Sequence, residues 1–431
     1  MTKEDEKSQL SLINLVYDLF DSETNNSANI IKSKPNYDSI ETLLNSVHER
    51  LIDNIYCERG AIYAFDIIDE NNDRNIRSVN LDLYDGLAGY AMYLLYYGIV
   101  RKDLKSIKLS EQICFECYNR IKLFKEIEIG AFKGISGILY VISHVYSYTK
   151  TPELLDLAEK IIRVVNIKIK RDDKKIHFDI IFGISGSILS LASVYKVNKS
   201  KQVYNCIKKL AKLLVSRVVR DKNGIGWKFY TKNPLTGYSH GNSGSIHALF
   251  KAYEITKITQ FKDIAIEALE YERNNFDTTE ANWKDLRFED GNNRNGYNWC
   301  NGAMGIGLQR IELKKYFTDG YIDNEIKTAL NSTLKFGFGM NNCLCHGNFG
   351  NIELPLTYSL SNDNELKIKE SMKKLKTYLF NYILKNGIVC SHGSIFPSLS
   401  FMTGEIGVLY QILRLDFPSV VPNILLLEEP K

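Results

Sequence analysis

The sequence predicts an all-α protein, an α/α toroid of about seven helical hairpins with inner and outer layers. Three observations carry that prediction. First, a Gly-x-x-Gly step recurs at Gly86/Gly89, Gly134/Gly137, Gly183/Gly186, Gly241/Gly244, Gly302/Gly305, Gly347/Gly350 and Gly404/Gly407, with successive spacings of 48, 49, 58, 61, 45 and 57 residues. Second, the steps lead into apolar runs such as Ala91-Met92-Tyr93-Leu94-Leu95, Ile138-Leu139-Tyr140-Val141-Ile142 and Val408-Leu409-Tyr410-Gln411-Ile412. Third, amphipathic stretches lie between the runs. Leu154 to Ile167 and Val203 to Val218 have apolar residues three or four apart and lysines on the other side.

In chain order, residues 1–80 read as an N-terminal extension, partly helical, that closes onto a toroid domain spanning 81–431. A helix is expected near Ser39 to Asn54. Ala88 to Val100 is the longest apolar run, and its thirteen residues fit a buried helix rather than a membrane span. Gly224 to Tyr230, with Ile225, Trp227 and Phe229 alternating, reads as a short strand or hairpin insert. The fifth and sixth units are weaker, because Leu308-Gln309-Arg310-Ile311 and Ile352-Glu353-Leu354-Pro355 carry polar residues or proline. Glycine costs a helix about 1 kcal/mol relative to alanine. Paying that cost at seven matching positions implies crowding, as in inner helices converging on an axis. A closed toroid meets the requirement, and an open solenoid with polar capping units is the alternative.

Bulk composition narrows the function classes. A net charge of +4 over 431 residues, with no basic cluster interleaved with aromatics, argues against a nucleic-acid partner. The start Met1-Thr2-Lys3-Glu4-Asp5-Glu6-Lys7 has no apolar signal segment. With no export signal, the eight cysteines are expected to be reduced and the protein cytoplasmic.

Residues just ahead of each glycine pair occupy equivalent corners, hence one end of the toroid. They are Asp85, Lys133, Phe182, His240, Cys300 with Asn301, Cys345 with His346, and Thr403. The ligand-capable ones bunch in the fourth to sixth units. Cys300, Cys345 and His346 make a Cys₂His set for one zinc ion per chain, with a position left open as in catalytic sites. A lone cytosolic cysteine is more often a buried small hydrophobe, but the shared corner favours zinc here. Cys343 could reach as a fourth ligand and is read as structural. So are Cys57, Cys206, Cys390 and the isolated Cys114/Cys117 pair.

Cys-Asn-Gly, Cys-His-Gly and Ser-His-Gly ahead of glycine-paired helices resemble the lanthionine synthetase C family, the lanthipeptide cyclases and their LanC-like relatives. Asp179 to Gly186 and the closing Ser400 to Gly407 extend the resemblance over nearly the whole chain from about Asp82. The resemblance implies fourteen helices and a single zinc held by Cys300, Cys345 and His346. It also implies addition of a peptide cysteine thiol to dehydroalanine or dehydrobutyrine. That reaction needs a thiolate, then a proton at the α-carbon. His240 matches the family's active-site histidine, and histidine is the side-chain type suited to proton relay near neutral pH. Asp179 matches an active-site aspartate, with a helix cap as the competing role. The chain departs from the pattern Trp-Cys-Tyr-Gly with an arginine four residues before the cysteine: Asn301 follows Cys300, Gly296 stands four before it, and Arg294 lies two further back. Arg294 and Asn301 are therefore supporting candidates for the catalytic set.

The resemblance implies as partners a dehydrated precursor peptide, leader and core, together with a dehydratase and an ABC exporter in a membrane-associated complex. The rival reading is a LanC-like protein that binds zinc and a thiol such as glutathione without cyclising anything. A prenyltransferase would need an aspartate ligand, and a sugar-processing toroid would need paired corner acids, where only Asp85 stands. His48, His144, His177, His247 and His392 fall off the corners and read as solvated or core histidines. His247 lies two turns beyond His240 on the same face and could support the site.

Overall fold

A computed structural model of the chain describes residues 37–431 apart from 59, 71–72, 124–125, 172, 288–295, 319, 363–365 and 391–397, with backbone alone at 67–70, 73–75 and 173. Helix α1 (Ile40–Asp53) leads into an antiparallel sheet of β1 (Ile55–Glu58), β2 (Ala61–Glu70) and β3 (Asp73–Ser78) in that order. Helical hairpins follow: α2 (Leu87–Arg101) with α3 (Leu104–Ile121), α4 (Ser136–Thr149) with α5 (Glu153–Arg171), and α6 (Ile184–Val197) with α7 (Lys201–Ser216). After the hairpin β4 (Val219–Asp221) and β5 (Gly224–Gly226) come α8 (Asn242–Thr256) and α9 (Thr259–Asn274). The small pair β6 (Phe276–Asp277) and β7 (Asn282–Trp283) precedes α10 (Ala303–Leu313) and α11 (Tyr321–Phe336). The chain ends with α12 (Asn348–Asn351), α13 (Glu353–Ser361), α14 (Leu366–Asn386) and α15 (Glu405–Asp416).

The apolar runs form the inner layer and the amphipathic stretches the outer one. The difference follows from patterning: α2 is buried continuously from Leu87 to Gly98, whereas α5 buries Leu154, Leu157, Ala158, Ile161, Ile162 and Val165 on one stripe. With α12 and α13 counted as one interrupted helix there are seven inner helices. Six outer partners follow them in the chain. The seventh outer place, against α15 and α14, is filled by α1. The expected fourteen-helix toroid is therefore present. Pro355 sits in the first turn of α13, where a missing N–H costs least.

The two layers begin their helices differently. Three of the outer helices are capped by side chains: Asp103 accepts from Lys105 N at 3.0 Å, Ser200 from Val203 N at 3.3 Å, and Ser39 from Thr42 N at 3.1 Å. Inner helices start at the glycines and use backbone instead. Their first N–H groups donate to carbonyls seven residues back, as in Leu87 to Asn80 (2.8 Å), Ile184 to His177 (2.9 Å), Asn348 to Asn341 (2.8 Å) and Glu405 to Ser398 (2.9 Å). This fold-back explains the second glycine of each step. A Cβ at Gly186 would strike the Ile180 carbonyl of its own corner and the Ala131 amide of the preceding unit; one at Gly407 would strike the Phe401 carbonyl. The crowding thus arises chiefly inside each corner, not from the axis alone.

The same corners close the ring. Tyr84 N donates to Phe132 O (2.9 Å), Lys133 N to Ile181 O (2.9 Å), and Ile180 N to Ser239 O (3.0 Å). Ser239 Oγ donates to Cys300 O (2.9 Å), Cys345 N to Met402 O (3.0 Å), and Met402 N to Tyr84 O (2.7 Å). The last of these joins the seventh unit to the first, which an open solenoid would lack. The expected strand insert is shorter than its pattern: β5 stops at Gly226, because Trp227 turns into the core and donates Nε1 to Leu214 O at 2.8 Å. Among the described residues no helix is long and apolar enough to cross a membrane.

Candidate active site

Because every inner helix starts at the same end, the corner loops place their side chains around one rim. The Cys300 and Cys345 thiols hydrogen-bond each other there. Cys345 is buried and Cys300 half-buried. The hydrogen bond from Cys345, together with the nearby Arg287 guanidinium, lowers the Cys300 thiol, and that same bond with burial raises Cys345 well above the ordinary cysteine range. The Tyr84 hydroxyl also hydrogen-bonds Cys345, and burial keeps that phenol protonated.

On the neighbouring arc, His240 Nδ1 lies 2.7 Å from Asp179 Oδ2. Asp179 is fully buried, whereas the His240 side chain is 28% exposed. The buried carboxyl oxygen accepts a hydrogen bond from Nδ1–H, which leaves Nε2 as the ring nitrogen turned away from it. The other oxygen, Oδ1, accepts from Phe182 N at 3.2 Å, so Asp179 is both helix-corner cap and histidine partner. Phe229 stacks on His240 with centroids 4.3 Å apart, and Phe182 lies parallel at 6.0 Å. The two phenyl rings are 6.3 Å from each other, so they form one aromatic wall beside the imidazole rather than a sandwich around it.

A third cluster flanks Cys300. Asp285, whose side chain is almost wholly buried, accepts from Arg287 Nε and a terminal guanidinium nitrogen at 2.9 and 2.6 Å, and from Asn301 Nδ2 at 2.7 Å. The fork geometry fixes the guanidinium plane. Asn301 thus serves as a ligand of Asp285. Arg294, the other supporting candidate, lies outside the described residues, as does His392.

The remaining corner residues divide. Lys133 bonds Asp85 at 2.5 Å and lies 4.9 Å over the Tyr84 ring, while Thr403 bonds Ser400 at 3.0 Å within its own loop. His346 is half-buried, and its backbone N–H bonds the Cys343 sulfur. Burial raises the Cys343 thiol to about 12. Cys114 and Cys117 are buried in α3. His247 bonds Tyr238 at 2.8 Å and lines a cavity of about 540 Å³ with the C-terminal ends of inner helices, away from the rim. It does not support the site. Sequence reasoning missed Tyr84, Phe229, Asp285 and Arg287. Tyr84 was findable, being the neighbour of corner residue Asp85; nothing in the sequence marks Arg287.

Two sulfurs in contact, one with a lowered thiol, are the donor chemistry a thiophilic divalent ion selects. Among the described residues no three His, Cys, Asp or Glu side chains are arranged as a group that could hold a metal ion. Cys300 and Cys345 are brought together, and the His346 ring is not gathered with them into such a set.

The family model for lanthionine synthetase C-like proteins matches residues 77–426. The lacticin 481/lactococcin biosynthesis protein LcnDR2 of Lactococcus lactis subsp. lactis is 31% identical over 198 residues, which are 43% of this chain and 21% of that protein. The chain therefore spans about a fifth of that relative's length. The solved structure of nisin cyclase superposes with a TM-score of 0.61 at 18% identity, covering 90% of this chain and 96% of the other, and shares the fold. With the family model spanning most of its length, this chain belongs to the lanthionine synthetase C-like family.

Proposed function

We propose that this chain closes thioether rings in a dehydrated precursor peptide. A peptide cysteine thiol adds to dehydroalanine or dehydrobutyrine: the C–S bond forms at the β-carbon, the alkene π bond breaks, and the thiol proton is replaced by one delivered at the α-carbon. The observation that supports this reading is that the paired sulfurs and the Asp179–His240 dyad share one rim. Membership in the family supports it independently.

In this reading Cys300 and Cys345, joined by His346 when the metal binds, would hold one zinc ion, which would acidify the incoming thiol. The rest falls to the chain's own side chains. His240 Nε2 takes the thiol proton and returns one to the α-carbon. Asp179 fixes the tautomer that leaves Nε2 free to do so. Phe229 and Phe182 pack against the ring and hold its plane. Arg287, locked by Asp285 beside Cys300, is the group available to stabilise the enolate's negative charge. The alkene requires a preceding dehydratase, and its partnership with an exporter at the membrane belongs to the same reading.

Incubation with a dehydrated precursor tests the proposal. Free peptide thiols should disappear without a change in mass. An unchanged thiol count at full zinc occupancy would mean a metal- and thiol-binding protein that does not cyclise.

A further inference from the structure

Charge is distributed unevenly along this chain. Residues 168–232 hold sixteen lysines and arginines against four aspartates, a net of +12 in a protein whose total is +4. The remainder is consequently net acidic. All but Lys196 and Lys199, which lie at the far end of α6 and in the turn after it, occupy the outer helices α5 and α7, which pack side by side, and the loops that follow them. Arg217, at the end of α7, donates to Ile176 O at 2.5 Å and ties the two loops together.

The basic wall rises to the rim of the site. Lys168 and His177 both act on Glu128, so the end of α5 stands beside His177. His177 Nε2 lies 3.1 Å from the Tyr230 hydroxyl, and Phe229, next in the chain, stacks on His240. Lys170, Lys174, Lys175 and Lys212 are exposed, and among the described residues none has an acidic partner. Like charges this close repel one another, and they raise the local concentration of an anionic ligand.

We propose that this wall is a docking track for an acidic segment of the peptide substrate, delivering the reactive part of the chain over Tyr230 and Phe229 to His240. The proposal rests on the ring-closing reading for the identity of the peptide. The structure favours an extended peptide over a lipid surface. A helix that binds lipid presents an apolar face to the membrane, whereas the apolar face of α7 (Val203, Ile207, Leu210, Leu214) is buried in the core. Along the wall the large apolar side chains standing exposed are two isolated ones, Ile167 on α5 and Tyr230 at the rim, which do not make an apolar face. Helix α7, with 16 residues, supplies about 24 Å of track at 1.5 Å per residue.

The test is direct binding, read by fluorescence anisotropy with a labelled glutamate-rich peptide that contains no cysteine, so that a failure of cyclisation cannot mimic a failure of docking. The wild-type protein should bind it, more weakly as salt rises, and should not bind the same peptide with every Glu replaced by Gln. The triple variant K170E/K174E/K175E should weaken binding by about tenfold or more, while cyclisation of a short substrate without acidic residues stays unchanged. K208E/K209E/K212E, on the adjoining helix, serves as a second variant should the first fail to fold. Equal binding by wild type and both variants, or equal binding of the Gln peptide, overturns the proposal. So does charge-dependent binding of phosphatidylserine vesicles without binding of the acidic peptide, which would make the wall a membrane-facing surface.

Discussion

Replacing Asp179 by asparagine separates its two roles. The isosteric amide can keep Oδ1 accepting from Phe182 N, so the corner should stay folded. The other oxygen becomes an NH₂ donor aimed at His240 Nδ1, now 2.7 Å from a carboxylate. The imidazole must then either lose that bond or move its proton to Nε2, where it can no longer accept from the incoming thiol. A buried hydrogen bond to a charged group contributes about 1.5–3 kcal/mol. If that stabilisation is expressed in the transition state, ring closure slows by about 10- to 150-fold. The assay follows loss of alkylatable thiols in a dehydrated precursor, with kcat and KM measured separately. The fall should lie in kcat, with thermal stability and metal content near wild type. Turnover within about twofold of wild type in a folded variant would leave Asp179 as a helix cap and refute the dyad.

Three further outcomes follow from particular contacts. Arg287 lowers the Cys300 thiol, so Arg287→Gln should slow alkylation of Cys300 by iodoacetamide at neutral pH in metal-free protein; unchanged labelling would place the guanidinium too far away to matter. Arg310 and Glu272 pair at 2.9 Å with both side chains fully buried, so Arg310→Ala should cost about 3–5 kcal/mol in urea unfolding, and a loss under about 1 kcal/mol would contradict that geometry. Burial raises the Glu405 carboxyl to about 7 against the pull of Arg50. A carboxyl raised in the folded state stabilises it below the unfolded pKa and loses that contribution as pH rises towards 7, up to about 3 kcal/mol. Glu405→Gln should therefore flatten the pH dependence of stability between 4.5 and 7, and an unaltered slope would assign it to other groups.

Much of the architecture was legible because one constraint repeats seven times. Each corner folds back on its helix, each fold-back excludes a Cβ, and the glycine record of that exclusion stands in the sequence at unit spacing. Corner equivalence then brought Cys300, Cys345 and His240 to one rim before any coordinates. What escaped has a physical reason too. Phe229 and Arg287 reach the site from insertions between hairpins, which obey no period, and Asp285 acts through hydrogen bonds that leave no spacing signature. The break between α12 and α13 was visible as a weak unit with proline. That α1 fills the seventh outer place was not, since an amphipathic helix does not announce its partner.

The most direct test is metal analysis of the purified protein beside Cys300→Ala and Cys345→Ala. One zinc per chain in wild type, lost together with ring closure in both variants, is the predicted result. Full retention of zinc by both variants would contradict the assignment of these two sulfurs as its ligands, and ring closure by protein stripped of metal would contradict the metal's part in the reaction.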